Sequence, residues 1–110
     1  MIIQIKTIEE YEAFTSQSGV VVAHLGFGFN AFDRMMQRNL IELVPEFSGK
    51  AIFAWVDVDK NALIELAAQI NLVNTPTLIY FQNGEQAAIE IGMRPMDEVR
   101  RRINSILQSE

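Results

Sequence analysis

The chain alternates short apolar runs with amphipathic stretches. Ile2 to Ile5 is a β-branched run that predicts a short edge strand. Thr7-Ile8-Glu9-Glu10 then carries a capping box, in which the Thr7 hydroxyl takes a helical N–H and Glu10 reaches back. This predicts a helix to about Ser16 that closes before Gly19. Val20 to Leu25 is almost continuously apolar, the pattern of a central strand covered on both faces. After the loop Gly26-Phe27-Gly28-Phe29, a long helix is expected from about Asn30. Phe32, Met35, Met36, Leu40, Leu43 and Phe47 recur at steps of three and four and are expected to face inward. Asp33, Arg34, Gln37, Arg38 and Glu42 are expected on the outer face, and Pro45 bends or ends the helix before Ser48-Gly49.

Ala51 to Val58 reads as the next buried strand. Asp59 and Asn61 are cap candidates for a helix whose inward residues are Leu63, Leu66, Ala67 and Ile70. Two further apolar runs, Leu78 to Phe81 and Ala87 to Ile91, flank Asn83-Gly84, a strong hairpin signal because both residues tolerate positive φ. Pro95 suits a first helical position, with Met96, Val99, Ile103, Ile106 and Leu107 as the buried stripe of a last helix. The order is β-α-β-α-β-α-β-β-α. Strands joined through helices pair in parallel and the hairpin pairs antiparallel. The expectation is a three-layer α/β/α sandwich: a mixed five-stranded sheet with two helices on each face, formed as a single domain over residues 1–110.

Composition narrows the chemistry. A length of 110 residues, 49% of them hydrophobic, fits one domain with a real core. Fourteen Asp and Glu against nine Lys and Arg give a net charge of −5, a poor match to a phosphate backbone, so no nucleic-acid partner is expected. No apolar run approaches the ~20 residues of a membrane span. A soluble, cytoplasmic domain without a membrane partner is expected. With no cysteine there is no thiolate for catalysis, for a disulfide or for a metal, and with one histidine no His cluster; no metal or cofactor is expected.

The element order, Thr75-Pro76-Thr77 before the hairpin and Gly92 after it resemble the thioredoxin family. Val20-Val21-Val22, Val56-Asp57-Val58-Asp59-Lys60-Asn61 and the stretch Thr75 to Gly84 carry the resemblance across nearly the whole chain. The resemblance implies a thioredoxin fold with a cis peptide at Thr75-Pro76. It also sets Gly28-Phe29-Asn30-Ala31-Phe32 against the family's Trp-Cys-Gly-Pro-Cys motif, so that both thiol positions are Phe. The family's buried Asp and its Lys partner align with Ala23 and Trp55. Nucleophile, resolving thiol and charge pair are all replaced, which implies a redox-inactive domain with no catalytic residue.

Other motifs have ordinary readings. Gly26-x-Gly28-x-x-Ala31 matches a dinucleotide fingerprint in form, but two Phe stand where a pyrophosphate would lie, and a strand-to-helix turn is preferred. Asp57-x-Asp59-x-Asn61 opens like a calcium loop, yet Ala62 and Ala68 stand where such a loop has Gly and a bidentate Glu. His24 reads as a satisfied core residue, and Arg100-Arg101-Arg102 as a solvated face.

In the family an apolar groove receives substrate polypeptide. The resemblance places Phe29, Asn74, Thr75, Pro76, Ile91, Gly92 and Met93 on it, with Phe27 in the adjoining loop. The sequence leaves open whether the loop Phe pair folds inward or lies exposed. Phe29 is expected to be a contact residue and Phe32 a more buried one. The functional expectation is a protein- or peptide-binding, chaperone-like or assembly module. The alternatives are a thioredoxin-type oxidoreductase and a self-associating domain, with a second copy of the chain as the partner.

Overall fold

A computed structural model describes residues 1–109, the Asn61 side chain excepted. The elements are β1 (Ile2–Ile5), α1 (Ile8–Thr15), β2 (Val20–Gly26), α2 (Ala31–Leu43), β3 (Ala51–Asp57), α3 (Ile64–Gln69), β4 (Thr77–Gln82), β5 (Glu85–Ile91) and α4 (Met96–Gln108). The strands form one sheet in the order β1-β3-β2-β4-β5. β3 pairs in parallel with both β1 and β2, and β4 runs antiparallel to β2 and β5. This is the mixed, three-layer architecture expected from the pattern.

Period-two alternation along β2 divides the core. Val20 and Val22 pack with Met36, Leu40 and Leu43 of α2 and with Val99, Ile103 and Ile106 of α4. Val21, Ala23 and Leu25 pack on the other side with Tyr11 of α1 and with Leu63 and Leu66. Burial raises the Tyr11 hydroxyl pKa to about 12. The Tyr80 hydroxyl, buried in the first layer, donates to Glu90 at 2.6 Å, and Glu90 also accepts from Arg102 Nε at 3.2 Å. This chain ties α4 to β5 and compensates a carboxylate that is otherwise buried.

Local chemistry sets the turns. Thr7 caps α1 by accepting from the Glu10 N–H at 3.1 Å, and Glu10 Oε1 accepts from the Lys6 N–H at 2.9 Å. Asn83 and Gly84, at φ 52° and 85°, make the two-residue hairpin turn. Asp59 does not cap the third helix. Its N–H bonds Asp57 Oδ1 at 3.2 Å, and Lys60 opens a short 3-10 turn, Asn61–Leu63, ahead of α3. The Asp57 carboxylate thus organises the turn that the sequence assigned to Asp59; a capping role for the Asn61 side chain lies outside the described residues. Pro95 precedes the first helical residue, with its carbonyl accepting the first bonds of α4.

The inward face of α2 differs from the expectation. Asp33, Met36, Leu40 and Leu43 are buried, whereas Phe32 is 58% exposed and Met35 43%. The steps of three, four and three from Asp33 define the stripe, and Phe32 and Met35 lie one position to its side. A charged residue holds the inward place because β2 presents His24 to it, as described below. The consequence for stability is direct. Met36→Ala is expected to cost about 2–5 kcal/mol through a core cavity. Phe32→Ala is expected to stay within about 0.5 kcal/mol. Urea denaturation of the two variants compares them.

Candidate functional site

The loop between β2 and α2 is held from beneath by two carboxylates. Asp33 Oδ1 lies 3.0 Å from His24 Nε2, and Asp33 Oδ2 accepts from the Phe27 N–H at 3.0 Å. His24 Nδ1 lies 2.7 Å from Gln37 Nε2. One assignment satisfies every contact: a neutral His24 with its proton on Nε2, donating to Asp33 and accepting from Gln37 at Nδ1. The Trp55 ring covers the imidazole at a centroid distance of 4.6 Å and a tilt of 51°. The second carboxylate, Asp57, accepts from the Gly28 N–H at 3.2 Å through Oδ1.

These contacts account for both loop glycines. A Cβ on Gly26 would overlap the Asp33 carboxylate, and one on Gly28 would lie 2.6 Å from Asp57 Oδ2. They also settle the choice left by the glycine motif. The Phe27 and Gly28 N–H groups, which a pyrophosphate would need, are already bonded to carboxylates. The strand-to-helix turn is the reading that stands. Asn30 caps α2, its Oδ1 accepting from the N–H groups of Phe32 at 2.9 Å and Asp33 at 3.2 Å.

Beside this loop runs a cleft of about 480 Å³ lined by Phe27, Asn30, Phe32, Asn74, Thr75, Pro76, Gly92 and Met93. None of these residues is charged. Thr75-Pro76 is cis, and the adjoining turn is braced by Thr77 Oγ1 donating to the Asn74 carbonyl at 2.6 Å and by the Gly92 N–H donating to the Pro76 carbonyl at 2.7 Å. Phe27 is half-buried against the α1/α3 layer, and Phe29 stacks on it at 5.5 Å while remaining 67% exposed. The open question of the loop aromatics therefore has a split answer. Two predicted groove residues stand outside the cleft lining: Phe29 lies above it on Phe27, and Ile91 is on β5, paired with Thr77 and 40% exposed. Ala31 is exposed in the first turn of α2.

The sequence pattern puts Asp33 and Gln37 on the outer face of α2, reads Asp57 only as a strand end beside a calcium-like spacing, and takes His24 as a core residue; the structure instead turns Asp33 and Gln37 onto His24 and Asp57 onto the loop. His24 is indeed satisfied and fully buried. Ala23 and Trp55, expected to replace one charge pair, belong to different faces of the sheet: Ala23 packs in the α1/α3 layer, whereas Trp55 pairs with and covers His24. Among the described residues no group of three or more His, Asp or Glu side chains is placed to hold a metal ion. No described helix is long and apolar enough to cross a membrane.

Burial lowers the His24 pKa below its ordinary 6.5, and the Asp33 carboxylate offsets this only in part. Below about pH 6.5 the unfolded chain therefore binds a proton that the folded chain resists, and stability falls as pH falls from there toward the folded pKa. The chain contains one histidine, so its ring protons report the titration without ambiguity. An NMR titration is expected to give a midpoint below 6.5; a midpoint at or above 6.5 would mean that attraction to Asp33 outweighs burial. Gly26→Ala, which forces the Asp33 carboxylate aside, is expected to cost on the order of 1–3 kcal/mol in a thermal melt.

Comparison with known proteins agrees with this geometry. The family model described as Thioredoxin matches residues 5–105. The thioredoxin of Bacillus subtilis is 29% identical over 101 residues, covering 92% of this chain and 94% of that one. The thioredoxin of Haemophilus influenzae is 34% identical over 71 residues, 64% of each chain. Among solved structures, a mutant thioredoxin from Halobacterium salinarum NRC-1 superposes with a TM-score of 0.84 at 26% identity, covering 96% of this chain and 89% of that chain. Thioredoxin O2 from Arabidopsis thaliana, in its oxidized state, shares the fold at a TM-score of 0.84 and 17% identity, covering 96% and 94%. With its mixed sheet, its cis-proline turn and this match over nearly its whole length, the chain belongs to the thioredoxin family.

Proposed function

We propose that this domain, set in the cytoplasm, binds a protein or peptide segment at the cis-proline cleft and carries out no thiol–disulfide exchange. The observation that carries the reading is the exposure of Phe29 and Phe32 at the two positions where the family motif has cysteine. Burying a Phe side chain stabilises a fold by about 1.5–3 kcal/mol. Here two such side chains remain in water beside an uncharged cleft, while an aspartate takes the inward place on the same helix. That arrangement fits a surface covered by a partner. The name shared by the relatives points to an oxidoreductase instead, but that chemistry needs a thiolate to attack a disulfide and this chain has no sulfur other than methionine.

The redox and binding parts of the reading are tested separately. Insulin reduction by dithiothreitol is expected to proceed at the protein-free rate when the domain is added; acceleration well above it would overturn the redox part. For binding, Phe29→Asp and Phe32→Asp are combined and compared with the unaltered chain by crosslinking and affinity capture under identical conditions. The pair is expected to melt within about 1 kcal/mol of the parent, since both sites are exposed. It is also expected to lose the captured proteins that the parent retains. Retention of the same set by the variant would remove the cleft from the account. A sizing measurement on the purified chain separates a second copy from a different partner.

A further inference from the structure

A second cleft, of about 280 Å³, is lined by Gly28 of the β2–α2 loop, by Asp33, Arg34, Gln37 and Arg38 of α2 and by Trp55 of β3, and shares no lining residue with the cis-proline cleft. We propose that it binds a small aromatic carboxylate, with the ring against Trp55 and the carboxylate on Arg38 and Arg34.

The walls argue for a single ring. Trp55 is half-buried and is held in place from behind by the His24 ring. Its indole therefore gives a fixed apolar face to the cleft, with little ordering left to do on binding. The volume sits just below the ~300–1,000 Å³ of drug-sized ligand sites. It suits one ring with a short substituent.

The polar groups argue for an anion. Asp33 is the one carboxylate in the lining, and both of its oxygens are engaged, by His24 and by the Phe27 N–H. The remaining charges are Arg34 and Arg38, four residues apart on one helix face, a spacing at which like charges repel. Arg94, Arg100 and Arg102 each lie on a carboxylate among the described residues, whereas Arg34, Arg38 and, away from this cleft, Arg101 do not. Among the described residues Arg34 has a single contact, to the Phe29 carbonyl at 2.8 Å, and Arg38 and the Trp55 indole N–H have no hydrogen-bond partner. In a chain of net charge −5, two cations with no carboxylate partner and an indole therefore line one cleft. A planar guanidinium both pairs with a carboxylate and stacks on a ring, which a lysine at either position would do less well.

The chain has one tryptophan, so its indole N–H is a single, assignable signal in ¹H–¹⁵N NMR spectra. Benzoate is titrated at constant ionic strength, with benzamide as the uncharged isostere and inorganic phosphate as the anion without a ring. Benzoate is expected to move the Trp55 indole signal saturably, in the millimolar range appropriate to so small a ligand. Benzamide and phosphate are each expected to bind at least about tenfold more weakly, the effect of losing one charge-assisted hydrogen bond or the ring contact. Arg38→Gln is expected to weaken benzoate by about tenfold, and Arg34→Gln measures the second cation in the same way. The proposal is overturned if benzoate gives no saturable shift, if benzamide or phosphate matches it, or if Arg38→Gln leaves its affinity unchanged.

Discussion

The contact between His24 and Asp33 is the constraint on which the rest of this end of the molecule depends. A carboxylate that is fully buried is tolerated only when its oxygens are bonded. Asp33 meets that condition through His24 on β2 and through the Phe27 N–H in the loop. His24 lies beneath the loop and the Phe27 N–H belongs to it, so Asp33 must face inward, and this fixes the rotation of α2 about its axis. Once Asp33, Met36, Leu40 and Leu43 face the sheet, Phe32 and Met35 are left outside. The same contact requires a glycine at position 26, since a side chain there would occupy the space of the carboxylate.

The fold was legible because its signals are local. The continuous apolar run of β2, the Asn83-Gly84 turn and the Thr7 capping box each name an element without reference to any other. The family resemblance, not spacing, supplied the cis bond at Pro76. The face of α2 was misread because its deciding partner is not local. Phe32, Met35 and Met36 satisfy a helical apolar stripe as well as Asp33, Met36, Leu40 and Leu43 do, and hydrophobicity favours the former. What selects the latter is a histidine nine residues earlier, on a strand covered by both layers. A polar residue inside such a strand needs a partner, and an aspartate in step with Met36 and Leu40 was the one sign of it. The loop glycines are a similar case. Their spacing matches a phosphate-binding turn, and only the placement of Asp33 and Asp57 shows that the backbone donors are already taken.

The polar chemistry of this end rests on residues other than those the resemblance sets against the family's charge pair. The family's charge pair aligns with Ala23 and Trp55, which here lie on different faces of the sheet and hold no charge. A titratable group is present one residue along β2, at His24, paired with α2 rather than with β3. Trp55 takes part only as a cover for the imidazole ring. Among the described residues this network leaves no buried side-chain polar atom without a partner, in keeping with the cost of burying one member of a charge pair alone.

The N-terminus of α2 shows the same replacement most plainly. A helix N-terminus carries unpaired N–H groups and a partial positive charge, and in a dithiol thioredoxin these favour a thiolate. In this chain Asn30 Oδ1 takes the N–H groups of Phe32 and Asp33, and Asp33 supplies a negative charge within the first turn. The groups that would activate a nucleophile are thus satisfied by the helix's own residues. A cysteine placed at position 29 or 32 would stand at an end where Asn30 already takes the N–H groups of Phe32 and Asp33. What that end presents outward is the aromatic surface of Phe29 and Phe32, set there by the inward turn of Asp33.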